Sequence, residues 1–508
     1  MDFHSFPGKT ERPVRIVVIA LSLLLPLLFF MTAAQRVRYP YELEELEGNM
    51  VRTVERVLHH QPVYIAPNVH FVPFMYTPGY SYAAAAMAHI TGIGFLPLRL
   101  VSIISTAGIF LMLAALIWRE TRSWMAAAAA AALYAGCYPL CQNWYDLARL
   151  DSLFVFLMLI AMYCTRWLHP VVAALAWVAV FQTKQSILPA AVVLLCCRIA
   201  QRRQTIAALA VFAAGVSGSV LWLNHATNGW YSFYVFKVPS ANSDLILRPL
   251  VLFLPEFFHT VGIAVVLIVV AVLSHKLNVH SLAVRFYLAT GVLVLLAWFI
   301  MMHTGSTGNV YMPACAVIAL LFALAAHRLL RDGSPTVRTV VLSAMAIQLF
   351  SLIYNPGAFR PTAEQKYSAE ASIQAAKMLG GHVYLPQHTY YGQMAGAPEM
   401  ADMVAFQDAQ RPLPSGEQVR LRTEMESMLT SGAIQGVFLD SSSQVRSFSE
   451  RNAVDEEWIS HYPVRMPLPG ATAQSRPAWF LLPCTLSFSG QLKSETVAPQ
   501  APLCTAGK

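Results

Sequence analysis

Runs of roughly 17–25 apolar residues recur from near the N-terminus to residue 355, and each is about as long as a helix must be to cross the hydrocarbon of a bilayer. A backbone in lipid has to satisfy its own N–H and C=O groups, so runs of this kind have little choice but to be helices. Charge supports the reading. Only 12% of the 508 residues are charged and 56% are hydrophobic, about half the charge of an ordinary soluble domain. The chain therefore reads as a polytopic α-helical membrane protein. Its net charge of +8 does not point to nucleic acid, because the basic residues sit in small groups between apolar runs, where positive-inside orientation puts them.

The first run, residues 16–34, follows Arg12 and Arg15 and is longer than a signal-peptide core of about 7–15 residues. It is expected to be an uncleaved helix leaving the cytoplasm. Residues 35–95 then form a first outer loop, with an amphipathic helix over 45–60 lying on the membrane through Leu46, Met50, Val54, Val57 and Leu58. The short apolar piece 80–90, opened by Pro78-Gly79, is too short to span about 30 Å of hydrocarbon and is assigned as a second interfacial helix. With that assignment, spanning helices fall near 14–34, 96–118, 123–141, 151–167, 169–182, 187–200, 205–224, 249–273, 284–302, 310–330 and 338–355, eleven in all. The inward turns carry Arg119/Arg122, Arg166, Arg198/Arg202/Arg203, Lys276/Arg285 and Arg328/Arg331/Arg338. The N-terminus lies in the cytoplasm and the C-terminus outside. From Asn355-Pro356 the composition turns polar. Helical patterns at 363–379 and 417–429 alternate with strand-like pieces at 382–385, 437–439 and 479–482, which suggests a small extracytoplasmic α/β domain over 356–508 ending in a loose tail. Six of the eight cysteines lie in or beside apolar segments, and Cys484 and Cys504 are candidates for a disulfide.

The most unusual local feature is Tyr41-Glu42-Leu43-Glu44-Glu45-Leu46-Glu47-Gly48, with four carboxylates in six residues of a chain that holds only 27 acidic residues. On the proposed topology it shares the outer face with Asp146, Arg149, Asp151, Lys184, Lys237, Asp244, Arg248, Glu256, His259 and His303, while the helix middles are almost free of charge. A transporter usually carries ionisable or unwound elements near the midplane; polar chemistry gathered at one face favours surface catalysis. Each piece also has an ordinary explanation. The acidic run can be a solvated face, Asp146 to Asp151 a capped helix start with an ion pair, and Lys184 a snorkelling lysine. His59, His60 and His70 lack metal-ligand spacing. Together, however, a carboxylate that can take a proton from a hydroxyl and cations that can neutralise a departing phosphate suit transfer of a group from a lipid-phosphate carrier. Helical spacing places Glu44 and Glu47 on one side and turns Glu45 away, making Glu47 the first candidate base and Glu44 the second.

At this point the chain resembles the GT-C class of glycosyltransferases, which use polyprenyl-phosphate-linked sugars, and in particular the family 39 enzymes, aminoarabinose transferases and protein O-mannosyltransferases. The resemblance covers residues 14–355 and rests on the order of short motifs. These are Glu47-Gly48 after the first helix, Pro62-Val63-Tyr64, Tyr76-Thr77-Pro78, Leu98-Arg99-Leu100, Asp146-Leu147-Ala148-Arg149-Leu150-Asp151 and Thr183-Lys184-Gln185. It implies a first-loop acid as base (Glu47, with Glu44 and Glu45 as rivals) and a second-loop acid that assists it or holds a divalent metal, Mg or Mn (Asp146, with Asp151 as rival). Arg149 and Lys184 would contact phosphate, and Tyr76 would stand where some members place a lysine before Pro-Pro. It further implies a bacterial inner-membrane enzyme that transfers a sugar to the hydroxyl of a cell-envelope glycan, lipid or protein. A lipid or polysaccharide transporter, and a non-catalytic scaffold whose C-terminal domain binds a partner, are the alternatives.

Overall fold

The structure, a computed structural model, describes residues 11–197, 202–241, 245–274, 281–303, 306–440, 464–467 and 479–482. Arg198, Asp244, Lys276, the Cys484–Cys504 pair and the C-terminal tail lie outside these residues.

The apolar runs fold into a bundle of α1 (Glu11–Arg36), α4 (Phe95–Thr121), α5 (Trp124–Gly136), α6 (Asp151–Trp167), α7 (Pro170–Phe181), α8 (Leu188–Cys196), α9 (Arg202–Ala226), α12 (Leu247–Leu273), α13 (Leu282–Ala289), α14 (Gly291–Met301), α15 (Met312–Asp332) and α16 (Pro335–Ser351). Between them lie α2 (Glu47–Leu58) and α3 (Gly79–Thr91) in the first loop. The short α10 (Trp230–Ser232) and α11 (Val238–Ala241) flank a π-helical turn, Phe233–Lys237. Among the described residues, seven segments are long and apolar enough to cross a membrane, whereas Trp124–Gly136, Pro170–Phe181 and Gln185–Cys196 are shorter. Turn chemistry sets the helix starts: Ser123 caps α5, and Ser334 caps α16 ahead of Pro335. Helix α15 is the axis of the bundle, with 83% of its apolar stretch buried, whereas α9 at 17% is peripheral.

Two contacts show how the chain folds back. The Arg99 guanidinium, at the start of α4, donates to the carbonyl of Arg36 at the end of α1 at 3.4 Å, so the whole first loop returns to the face it left. At the opposite face Glu11 pairs with Arg338 at 3.3 Å, joining the beginnings of α1 and α16. Helix α2 departs from expectation in two ways. It begins at Glu47 rather than residue 45, and it does not rest on lipid. Its apolar residues Met50, Val51 and Val54 are buried, because α3 and α4 pack on one side and the C-terminal domain on the other.

The C-terminal part of the chain, expected to be a domain of its own, contains α17 (Ala363–Met378), β1 (Val383–Tyr384), α18 (Thr389–Met394), α19 (Met403–Gln410), α20 (Ser415–Thr430), β2 (Gly436–Leu439), β3 (Val464–Pro467) and β4 (Trp479–Leu482). Thr362 and Gln365 form a capping box at the start of α17. The sheet has the order β1-β2-β4-β3. Strands β1 and β2 are parallel with Val383 opposite Gly436, and the other pairs are antiparallel.

The fold places the α4–α5 turn and the end of α2 on opposite faces. Cysteines introduced as Ser123→Cys and His59→Cys are therefore expected to react with an impermeant thiol reagent from opposite sides of sealed vesicles. Labelling of both from one side would contradict this arrangement.

Candidate active site between the first, second and third loops

Four stretches of chain meet on one face: residues 41–48, 74–79, 144–151 and 181–185. Backbone contacts set their registers. The amide of Gly79 donates to the Gln182 carbonyl at 2.6 Å, and the Thr77 hydroxyl to the Phe181 carbonyl at 2.9 Å. Added at Gly79, a Cβ would lie 2.5 Å from the Gln182 oxygen, so only glycine permits this approach. Gln185 donates to the carbonyls of Met75 and Val235.

The structure brings Glu44, Glu45, Glu47, Tyr76, Asp146, Arg149, Asp151 and Lys184 into this region but gives them different surroundings. Glu47 is completely buried. Its Oε1 accepts from Arg99 Nε at 3.1 Å and the Ala148 amide at 2.7 Å; its Oε2 accepts from Arg99 Nη2 at 2.6 Å and the Leu43 amide at 2.7 Å. A carboxylate offers about four lone-pair sites, and here each has a donor. Burial alone would raise its pKa, but the Arg99 charge and these hydrogen bonds outweigh burial and lower it. Glu47 therefore stays ionised with no lone pair facing a substrate, which argues against the base role expected for it.

Asp146 is likewise committed. Its Oδ2 accepts from Arg36 Nε at 2.8 Å and its Oδ1 from the Tyr138 hydroxyl at 2.9 Å, with 1% of its surface exposed. Arg36 also donates to the carbonyls of Phe359 and Asn143, so Asp146 orients the guanidinium that ties the first helix to the second loop. Arg36 does not stand out from its sequence neighbours, and Arg99 enters only as part of Leu98-Arg99-Leu100, with no role attached. Both lie at the helix ends that flank the acidic run, whereas Arg119, Arg122, Arg166 and Arg328 lie at the other ends, and that exception is the signal that could have found them.

Glu44 is different. It precedes α2 in a turn, so helical spacing does not apply to it. Its Oε2 lies 3.7 Å from Arg149 Nη1, beyond hydrogen-bonding distance, and 18% of its side chain is accessible. Neither Glu44 Oε2 nor Arg149 Nε and Nη1 has a hydrogen-bond partner. Burial raises the Glu44 pKa to about 8, with the nearby carboxylates of Glu45 and Glu47 adding to the shift and Arg149 opposing it. Glu45 points instead toward Gln387 of the C-terminal domain, at 3.5 Å.

Arg149, 2% exposed, is held by aromatic faces. Its guanidinium carbon lies 4.8 Å from the Trp144 ring centre, 5.5 Å from Phe74 and 5.9 Å from Tyr76, and Nη2 donates to the Tyr76 hydroxyl at 3.4 Å. Asp151 Oδ1 accepts from Lys184 Nζ at 2.8 Å and from Asn309 at 3.1 Å, while its Oδ2 has no partner. Among the described residues, Glu256, His259, Lys237 and Arg248 are exposed and form no hydrogen bond or ion pair with this group. A divalent metal does not fit. Among the described residues no group of three His, Cys, Asp or Glu side chains is arranged to hold a metal ion, Asp146 already faces a guanidinium, and Asp151 faces an ammonium.

No family profile and no curated protein matches the sequence. Solved structures do. The crystal structure of ArnT from Cupriavidus metallidurans bound to undecaprenyl phosphate superposes with a TM-score of 0.57 at 13% identity, covering 92% of this chain and 97% of that one. The Archaeoglobus fulgidus oligosaccharyltransferase in the apo form gives 0.56 at 12% identity, covering 89% and 72%. The same organism's AglB, in complex with an inhibitory peptide and a dolichol-phosphate, gives 0.55 at 11% identity, covering 90% and 73%. At these identities the likeness shows the fold alone: the chain shares the architecture of these structures, and seven of its described segments are long and apolar enough to cross a membrane.

Glu47→Gln removes the charge that balances a fully buried Arg99 and is expected to destabilise the fold by about 3–5 kcal/mol, read as a lowered unfolding temperature in detergent. Glu44→Gln is expected to leave that temperature within a few degrees of wild type. Equal losses from both would contradict the division of tasks described above.

Proposed function

We propose that the protein transfers a sugar from a polyprenyl-phosphate-linked donor to an acceptor hydroxyl outside the membrane, with Glu44 as the base. The observation that carries this reading is the juxtaposition of Glu44 with Arg149. A carboxylate with 18% of its side chain accessible, a buried unpartnered Oε2 and a pKa raised to about 8 stands beside a buried cation whose Nε and Nη1 have no partner. The GT-C fold supports it, as do the undecaprenyl phosphate held by ArnT and the dolichol-phosphate held by AglB.

In the proposed reaction the acceptor oxygen attacks the anomeric carbon while its proton passes to Glu44 Oε2. The bond from the anomeric carbon to the phosphate oxygen breaks, and the electron pair leaves with the polyprenyl phosphate. Attack opposite the leaving group inverts the anomeric centre. Charge develops on the phosphate oxygens, where Arg149 Nε and Nη1 and the ammonium of Lys184 would meet it. Asp151 holds Lys184 and Asn309, Tyr76 steadies Arg149, and Glu47 with Asp146 fixes the loops through Arg99 and Arg36. The preference between the two first-loop glutamates thus reverses from Glu47 to Glu44. The natural setting would be a bacterial inner membrane, with the N-terminus in the cytoplasm, the site and C-terminal domain outside, and a cell-envelope glycan, lipid or protein as acceptor.

The test is consumption of polyprenyl-phosphate-linked sugar by the purified protein. Glu44→Gln should lower turnover by about 10²–10⁴-fold, the usual contribution of general base catalysis; full activity would overturn the mechanism. Because the base acts deprotonated, kcat/KM should rise with pH through about 8, following the Glu44 ionisation, and Glu44→Gln should flatten that rise. Arg149→Ala and Lys184→Ala should weaken donor use, by about 2–5 kcal/mol in kcat/KM for a buried charge partner. Unchanged kcat/KM in both would remove the phosphate from this place.

A further inference from the structure

The proposed base sits on a loop with no regular secondary structure. Residues 42–46 lie between the end of α1 and the start of α2, and α2 has no side-chain cap at Leu46. A carboxylate on such a segment needs a second support, since catalysis tolerates little misplacement. The C-terminal domain supplies one. His388, 5% exposed, stands between two acids: its Nδ1 meets Glu42 Oε2 in a short contact, and its Nε2 meets Asp440 Oδ1 at 2.9 Å. The Tyr391 ring stacks on the imidazole, with centroids 5.3 Å apart and planes 15° apart. Its hydroxyl in turn accepts from the Glu42 amide at 3.0 Å. Tyr41 donates to Glu370 of α17 at 3.2 Å. The loop is therefore held from above at Tyr41 and Glu42 and from below through the Leu43 amide on Glu47, with Glu44 next along the chain.

Gly48 makes this approach possible. A Cβ there would lie 2.1 Å from Glu42 Oε1 and 2.9 Å from the Cβ of Tyr390. Burial would lower the pKa of His388, but Glu42 and Asp440 raise it above the ordinary value, so the ring can donate to both acids at once. None of these groups points at the Glu44–Arg149 pair. They act through the loop.

We infer that the C-terminal domain is a working part of the transferase: His388, clamped between Glu42 and Asp440 and admitted by Gly48, is a positioning residue that orders the loop bearing Glu44. This rests on the reading of Glu44 as base. The domain's role is then to hold the reactive loop, whichever acceptor it meets.

The experiment uses the full chain in nanodiscs and compares wild type with His388→Gln, whose N–H donors sit on a single nitrogen instead of two opposed ones, and Gly48→Ala, which displaces Glu42 without altering a titratable group. Amide exchange of peptides covering residues 41–46 should quicken by about tenfold or more, the range of local opening, while peptides from α4 and α15 stay as slow as in wild type. Turnover of polyprenyl-phosphate-linked sugars extracted from the expressing cells should fall by about 10- to 100-fold, with undecaprenyl phosphate binding within about twofold of wild type. If neither variant changes exchange at 41–46 or turnover, the inference is overturned. It is equally overturned if exchange quickens throughout the bundle in Gly48→Ala, because the contact is then merely structural. Glu44→Gln separates the two claims. If it retains full activity while His388→Gln loosens the loop, the base assignment fails and the clamp stands; if it is inactive while His388→Gln and Gly48→Ala change nothing, the clamp fails and the base stands.

Discussion

The arrangement depends on one buried ion pair. Arg99 spends all of its N–H groups on Glu47 and on the carbonyls of Arg36, Tyr39 and Tyr41. A guanidinium and a carboxylate with no exposed surface carry a large desolvation cost, and such pairs are seldom retained for stability alone. What this pair supplies is geometry. It closes the first loop on itself, pins the start of α4 to the end of α1, and through the Ala148 amide draws the second loop to the same place. Glu44, Asp146, Arg149 and Asp151 are all carried by these segments, and Asp151 in turn holds Lys184 of the third loop at 2.8 Å.

The carboxylates around the site then divide by how completely they are satisfied. Glu47 and Asp146 have guanidinium partners and little or no accessible surface. Glu44 and Asp151 each keep an oxygen without a partner, next to cations that also have donors to spare or are partly accessible. An unpartnered buried polar atom costs free energy in the resting protein, so the concentration of several such atoms in one cluster marks where a substrate would complete the hydrogen bonding. The same comparison removes the divalent metal from the account, since arginine and lysine occupy the neighbourhoods of both second-loop acids.

Much of the frame was legible in the sequence, because a bilayer leaves so few choices. The apolar runs fall on helices, the short piece after Pro78-Gly79 is the 13-residue α3, and the density of glutamates before Gly48 lies at the heart of the site. What could not be read were pairings across long separations. Glu47 meets Arg99 from 52 residues away and Ala148 from 101, and Glu42 meets His388 from 346. Periodicity says nothing about such contacts. It also misplaced Glu44, because helical spacing was extended one turn beyond the point where α2 begins. The amphipathic face of α2 was real, but it packs against α3, α4 and the C-terminal elements and not on lipid.

The most direct test of the central claim is an experimental structure with undecaprenyl phosphate bound. The account predicts the phosphate against Arg149 Nε and Nη1, within reach of Lys184 and open on one side to Glu44. A phosphate seated elsewhere, with Arg149 still enclosed by Trp144, Phe74 and Tyr76 and making no contact with it, would contradict the account.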